Sequence, residues 1–232
     1  MKLFNVILNK MEKYSIYIIC KDEEIFNEKK RIFKEQLNII DNFYFIQSVY
    51  LTISENNGDI LNKLKTRYNT KSNKILSKLG CISAHKNALL MITNNNTKNN
   101  IILEEDFNLN NKLPNPPEMS CYLGGWIVSL KMKDINKKIK INNLKNGINN
   151  INYENFRILT THAYYIKNVT EATLLLIDIL TKNKIKNYDI YLSDNKIINN
   201  YYYPEIFIQS KHKSEIDGKT NKNHKNTLNY GL

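Results

Sequence analysis

The stretch Ile101-Ile102-Leu103-Glu104-Glu105-Asp106-Phe107-Asn108-Leu109 restricts the fold more than any other part of the chain. A buried strand can carry Ile-Ile-Leu, but it cannot hide three consecutive carboxylates without partners. The strand is therefore predicted to end where the acids begin. In an open α/β sheet, ligands bind outside that carboxyl end. Residues two apart in an extended chain point the same way, so Glu104 and Asp106 are expected to share a face and Glu105 to point away unless a turn redirects it. Two carboxylates on one side repel each other unless a cation lies between them. Two readings stay open at this point: a divalent ion that holds a diphosphate, or a solvated acidic turn after a strand.

The rest of the chain narrows the setting. With 232 residues, 42% of them hydrophobic, it is long enough to bury a core. Gly and Pro are too scarce for collagen-like or Pro-rich readings. Lys and Asn are spread evenly, a bias that fits AT-rich coding. The formal charge of +12 admits nucleic acid, an anionic membrane or an anionic substrate. A dense basic stretch occurs only near the end, and no interleaved aromatic and basic patch or nucleic-acid motif accompanies it. Cys20, Cys81 and Cys121 are widely spaced, with no Cys-x-x-Cys and no Cys–His pairing at zinc spacing. Free, buried thiols in a reducing compartment are expected. No signal peptide is recognisable, and no stretch reaches the roughly 20 apolar residues of a membrane span. The expectation is a soluble, intracellular (cytoplasmic) protein.

Along the chain, residues 14–20 read as a buried first strand. A helix is predicted over residues 23–37, with Phe26, Phe33, Leu37 and Ile40 at helical spacing and acids at its start. Residues 43–49 form a second strand, which suggests a parallel βαβ unit. Asn56-Asn57-Gly58-Asp59 is a turn signal. A second helix is predicted over residues 75–93, largely buried, with Gly80 marking close packing or a break. Pro114, Pro116 and Pro117 mark an irregular connection. Residues 131–152 read as a loop or weakly ordered insert, and residues 158–166 as one strand. Thr170 is expected to cap a helix with Ala172, Leu175, Leu176, Ile179 and Leu180 on its inner face. Residues 189–192 and 206–209 read as short strand-like pieces. Residues 211–232 are polar and basic, and a disordered tail is expected there.

Four stretches, in order, resemble glycosyltransferase family 25, the group of lipooligosaccharide and procollagen galactosyltransferases. Leu79-Gly80-Cys81-Ile82-Ser83-Ala84-His85 is similar to its "GEiGCxxSH" helix. Ile102-Leu103-Glu104-Glu105-Asp106 is similar to its "ILEDD" strand end. Thr161-His162-Ala163-Tyr164-Tyr165-Ile166 resembles "TxAYxI", with Glu171-Ala172 where a "GA" opens a helix. Tyr203-Pro204-Glu205-Ile206-Phe207-Ile208-Gln209 with Ser214-Glu215-Ile216 resembles the closing "P…Q…SDI", and Asp189 fits a single family Asp before it. The departures are Leu79 in place of Glu, Glu105 in place of the middle Asp, Glu215 in place of the final Asp, and only Arg31 where the family is Arg-rich.

The resemblance implies an α/β, GT-A-like (Rossmann-like) nucleotide-sugar transferase domain with a mixed, mostly parallel sheet over residues 1–210, followed by the tail. It implies metal-dependent transfer of a hexose, galactose or glucose, from a UDP-sugar to a glycan or protein hydroxyl. A leaving diphosphate calls for Mn²⁺ or Mg²⁺ on hard oxygen ligands. Asp106 and Glu104 are the expected ligands, with Glu104 also able to accept from the ribose. Asp189 and Glu215 are expected to bind the acceptor or act as base; the plain alternative for each is a surface carboxylate. The resemblance implies that Ser83 and His85 shape the donor site, although His85 lies on an apolar helical face and by its own pattern reads first as a core histidine with one satisfied nitrogen. Gly124 and Gly125 can let backbone approach the substrate, or simply form a turn. Trp126 can stack on a sugar or sit in the core. Gln209 can bind a sugar hydroxyl or pair with backbone. The altered acids also support a non-catalytic member that binds nucleotide or glycan; a basic nucleic-acid-binding module is the weaker alternative.

Overall fold

The structure, a computed structural model, describes residues 14–37, 42–51, 72–129, 144–160, 162–182 and 187–210. Glu215 and the basic tail lie outside the described residues, as do Thr161, Leu51's successors up to residue 71, and residues 130–143. The elements run β1 (Ser15–Cys20), α1 (Glu23–Leu37), β2 (Asn42–Gln47), α2 (Ser72–Asn95), β3 (Asn100–Glu104), β4 (Phe107–Leu109), β5 (Cys121–Tyr122) and β6 (Trp126–Ser129). They continue with β7 (Gly147–Asn150), β8 (Phe156–Leu159), β9 (Ala163–Ile166), α3 (Val169–Lys182), α4 (Tyr188–Asp194), β10 (Asn200–Tyr203) and β11 (Phe207–Gln209).

Seven strands form one sheet in the order β2-β1-β3-β9-β5-β10-β7. Strands β2, β1, β3, β5 and β10 run one way, and β9 and β7 run against them. The result is a mixed α/β sheet of Rossmann-like character, as the alternation of apolar strands and amphipathic helices predicts. All six residues of β1 are buried, so both of its faces are covered. Ile16, Ile18, Ile101 and Leu103 pack with Phe33 of α1 on one face. Tyr17, Ile19 and Ile102 pack with Ala84, Ala88, Leu89 and Ile92 of α2 on the other. Each such aliphatic side chain contributes about 1.5–3 kcal/mol by leaving water. Together they lock the alternation of β3, so Glu104 must follow Ile102 onto the α2 face.

Gly80 sets how deeply α2 sits. A Cβ there would stand 2.1 Å from the carbonyl oxygen of Val49, so only glycine lets the helix meet the segment after β2. This is the close packing that its place inside a helix suggested. Among the described residues, no helix is long and apolar enough to cross a membrane.

Several local expectations need correction. Residues 158–166 are not one strand: β8 pairs with β6, β9 pairs with β3 and β5, and Thr160 between them adopts φ 64°. Residues 189–192 lie in helix α4, not in a strand. Part of the expected insert is ordered as β7, paired antiparallel with β10 at the sheet edge. The cap of α3 is Asn168, whose Oδ1 accepts from the Glu171 N–H at 3.0 Å; Thr170 already lies inside the helix. Ala172, Leu175 and Leu176 do face the core, but Leu180 is 56% exposed.

Candidate functional site

From β1 the chain crosses to β2 on one side, and from β2 it crosses back to β3 on the other. The carboxyl ends of β1 and β3 therefore flank the point where strand order reverses, the place where an open α/β sheet forms a crevice. Their register sets Ile19 beside Glu104, so both strands end at the same height. A cavity of about 830 Å³ opens there. Its wall includes Glu104, Glu105 and Asp106 from the acidic run, Cys81 and His85 from α2, and Lys29 from α1. Gln209 lines it as well.

The three carboxylates hold different positions. The Lys21 N–H, just past β1, donates to Glu105 Oε2 at 2.8 Å. Glu105 is thus turned into the cleft by the bend after β3, where strict strand alternation would have pointed it away. Asp106 is brought against the end of β11 by the antiparallel pairing of β4 with β11. Gln209 Nε2 donates to Asp106 Oδ2 at 2.6 Å, while Asp106 Oδ1 is buried without a hydrogen-bond partner. Burial, then the neighbouring charge of Glu104, push the Asp106 carboxyl up to about 7, against the lowering effect of Gln209.

Glu104 faces α2. Its Oε1 lies 3.0 Å from His85 Nε2, and His85 Nδ1 lies 2.9 Å from Tyr164 Oη. The His85 ring also stacks on Tyr188, with centroids 4.0 Å apart and planes 15° from parallel. His85 is 1% exposed. The core reading of this histidine is met, and the buried ring presents one nitrogen to the Glu104 carboxylate. Beside the acids, Lys29 Nζ donates to the Phe107 carbonyl at 3.1 Å and lies 4.9 Å from the Phe107 ring centroid. Burial lowers its pKa, while Glu28, Asp106 and Glu105 act to raise it.

The other described candidates do not line the cavity, although Asp189 is near enough for its charge to act on Cys81 and for Glu104 to raise its pKa. Asp189 is buried at the start of α4, where it accepts the Thr160 N–H at 2.9 Å and the Ile190 N–H at 2.7 Å. Burial raises its pKa in spite of those bonds. Ser83 is half-buried on α2 and does not line the cavity. Gly124 is packed so that a Cβ would meet the Phe207 carbonyl oxygen at 2.4 Å and the His162 ring at 2.5 Å. Gly125, at φ +131°, sits against Ile158 and the Leu159 and Thr160 carbonyls. The close approach made by these glycines is to the protein's own backbone and side chains, and neither glycine lines the cavity. Trp126 pairs with Leu159 in the β6–β8 ribbon.

Lys29 and Cys81 were not anticipated. Lys29 reads as one of many solvated lysines on an amphipathic helix. Cys81 had a legible sign, since it stands four residues before His85 and so shares its helical face. No protein-family model and no curated protein matches this chain.

Proposed function

We propose that the protein is a GT-A-like, metal-dependent glycosyltransferase of the family 25 type, moving galactose or glucose from a UDP-sugar to a glycan or protein hydroxyl. One observation carries the reading: a carboxylate cluster at the switch point of the sheet, with the Asp106 Oδ1 orphaned and the Asp106 charge disfavoured by its neighbours. Such a group is relieved by a divalent cation. Asp106 and Glu104 would hold Mn²⁺ or Mg²⁺, hard ions that take oxygen ligands. When bound, the ion supplies charge stabilisation to a departing diphosphate.

The chain's own residues do the rest. Gln209 fixes the Asp106 rotamer through its 2.6 Å bond. Lys29 places a cation beside the acids and favours an anionic ligand over water. His85 holds Glu104 toward the cleft. Asp189 pins α4 to the bend before β9 by accepting the Thr160 N–H, while its other oxygen accepts the Ile190 N–H within α4, so we give it a positioning part and not that of the base.

The test is UDP release from UDP-galactose and UDP-glucose with Mn²⁺, comparing the wild type with Asp106→Ala. Release that depends on Asp106 supports the reading, and equal release from both proteins removes it. A second reading, a binding protein that has kept the fold and lost transfer, is favoured by the engagement of Asp189 with backbone. Metal-dependent binding of UDP by calorimetry, with no turnover, would select it.

A further inference from the structure

We propose that Cys81, His85 and Glu104 form a separate site for a thiophilic transition-metal ion of the Zn²⁺ class on the α2 wall of the cleft. This inference does not rest on the glycosyltransferase reading. A thiol sulfur, an imidazole nitrogen and a carboxylate oxygen, one from each residue, all lie within 4.8 Å of one another. That donor set suits a borderline or soft ion and is poorly suited to Mg²⁺ or Ca²⁺. The three residues come from two rigid elements, since Cys81 and His85 are one turn apart on α2 and Glu104 ends β3.

The surroundings orient the ligands as a metal site requires. His85 Nε2 faces Glu104, and its far nitrogen meets the Tyr164 hydroxyl at 2.9 Å. A tyrosine hydroxyl donates or accepts, so it fits the tautomer that leaves the Nε2 lone pair for an ion. Stacking on Tyr188 holds the ring plane. All three ligands line the cavity, so an ion can enter and keep a fourth position open toward it. A plain His–Glu hydrogen bond accounts for two of the three groups, and Cys81 packs against the core; the metal reading adds that its sulfur also adjoins both groups on the cavity wall. On binding, the Cys81 S–H bond breaks, the electron pair goes to the metal–sulfur bond, and the proton passes to solvent. Glu104 would belong to both this site and the harder one at Asp106, so the softer ion is expected to oppose Mn²⁺ binding.

The test uses Co²⁺ as a spectroscopic probe, titrated into the metal-free, full-length protein under a non-chelating reductant. The expected result is one equivalent bound with a thiolate-to-cobalt charge-transfer band, displaced by Zn²⁺. Cys81→Ser should abolish the band, and His85→Gln should weaken affinity on the order of 100-fold, with circular dichroism confirming that each variant is folded. Tyr164→Phe, which removes only the group behind the histidine, should weaken affinity about 10-fold. Asp106→Ala and Cys20→Ser should keep the band, which separates this site from the hard-ion site and from the other thiols. Binding through His212 and His224 alone would give no thiolate band. Absence of the band in the wild type, or its survival in Cys81→Ser, overturns the proposal whether or not UDP is released.

Discussion

At its amino end β3 begins with Asn100, and at its carboxyl end it runs into Glu104, Glu105 and Asp106. Both ends bury polar atoms, but they do so differently. Asn100 Nδ2 donates to the Thr97 and Ile166 carbonyls, both at 3.2 Å, and its Oδ1 accepts from the Thr97 hydroxyl at 2.6 Å. Tyr17 and Thr97 share a further bond of 2.6 Å, and the Asn99 N–H reaches the Lys167 carbonyl. At the other end an oxygen of Asp106 has no partner, and three acids crowd one cleft. A satisfied buried network rigidifies a fold, whereas an unsatisfied one keeps binding capacity in reserve at a cost in stability. One strand thus carries a satisfied end and an unsatisfied one.

The largest expected effect separates the two ends by activity. On the proposed glycosyltransferase reading, Asp106→Ala should lower UDP release about 100-fold or more, because that reading makes Asp106 a ligand to the ion that stabilises the diphosphate. Its melting temperature should not fall. Asn100→Ala should do the reverse, costing about 2–3 kcal/mol in denaturant unfolding by stripping three hydrogen bonds from buried groups. Its metal and UDP affinities, measured at a temperature where it stays folded, should match the wild type. If Asn100→Ala abolished binding and left stability intact, the contrast between the ends would be broken.

The third prediction concerns pH in the metal-free protein. Asp106 has a folded-state pKa of about 7, raised above its unfolded value. Between those two values the folded state binds the extra proton, so stability falls as pH rises. Chelator-treated wild type should therefore lose about 2 kcal/mol from this group between pH 5 and pH 7. Asp106→Asn, which keeps the acceptor for Gln209, should flatten that slope. Saturating Mn²⁺ should also remove it by favouring the charged carboxylate. An identical slope in wild type and Asp106→Asn would show that Asp106 is not the group under strain. The smallest effect is expected at Glu105: Glu105→Gln retains an acceptor for the Lys21 N–H and should shift stability by only about 0.5 kcal/mol.

The legible parts of the fold were those written in local pattern. The run Ile101-Ile102-Leu103 ends at the first acid, and the strand ends there too. Residues 75–93 carry a helical stripe long enough to exclude a strand, and α2 includes them. Short apolar pieces were ambiguous. Asp189-Ile190-Tyr191-Leu192 suits either period, and its helix is set by packing of Tyr188, Tyr191 and Leu192 into the core. The break at Thr160 was hidden because β8 and β9 are both apolar and nearly adjacent, and only their different partners separate them.

The candidate site divides in the same way. His85 and Gln209 are marked as site candidates only by the family resemblance, whereas the acids at the strand end could be singled out in one dimension, because residue type and place along an apolar run express their chemistry. Their company could not. Glu104 meets His85 because β3 alternation turns it toward α2, and α2 comes close because Gly80 tolerates the Val49 carbonyl. Cys81 joins them for the same reason, and Lys29 comes beside the acids because α1 covers the opposite layer. Gly124 and Gly125 show the converse, since their conformational freedom serves close packing inside the protein. By itself the sequence determined which strand ends in charge and which helices cover the sheet, since those depend on spacings of a few residues. Only the tertiary structure decided which charges meet, because that depends on strand order, helix depth and register between segments far apart in the chain.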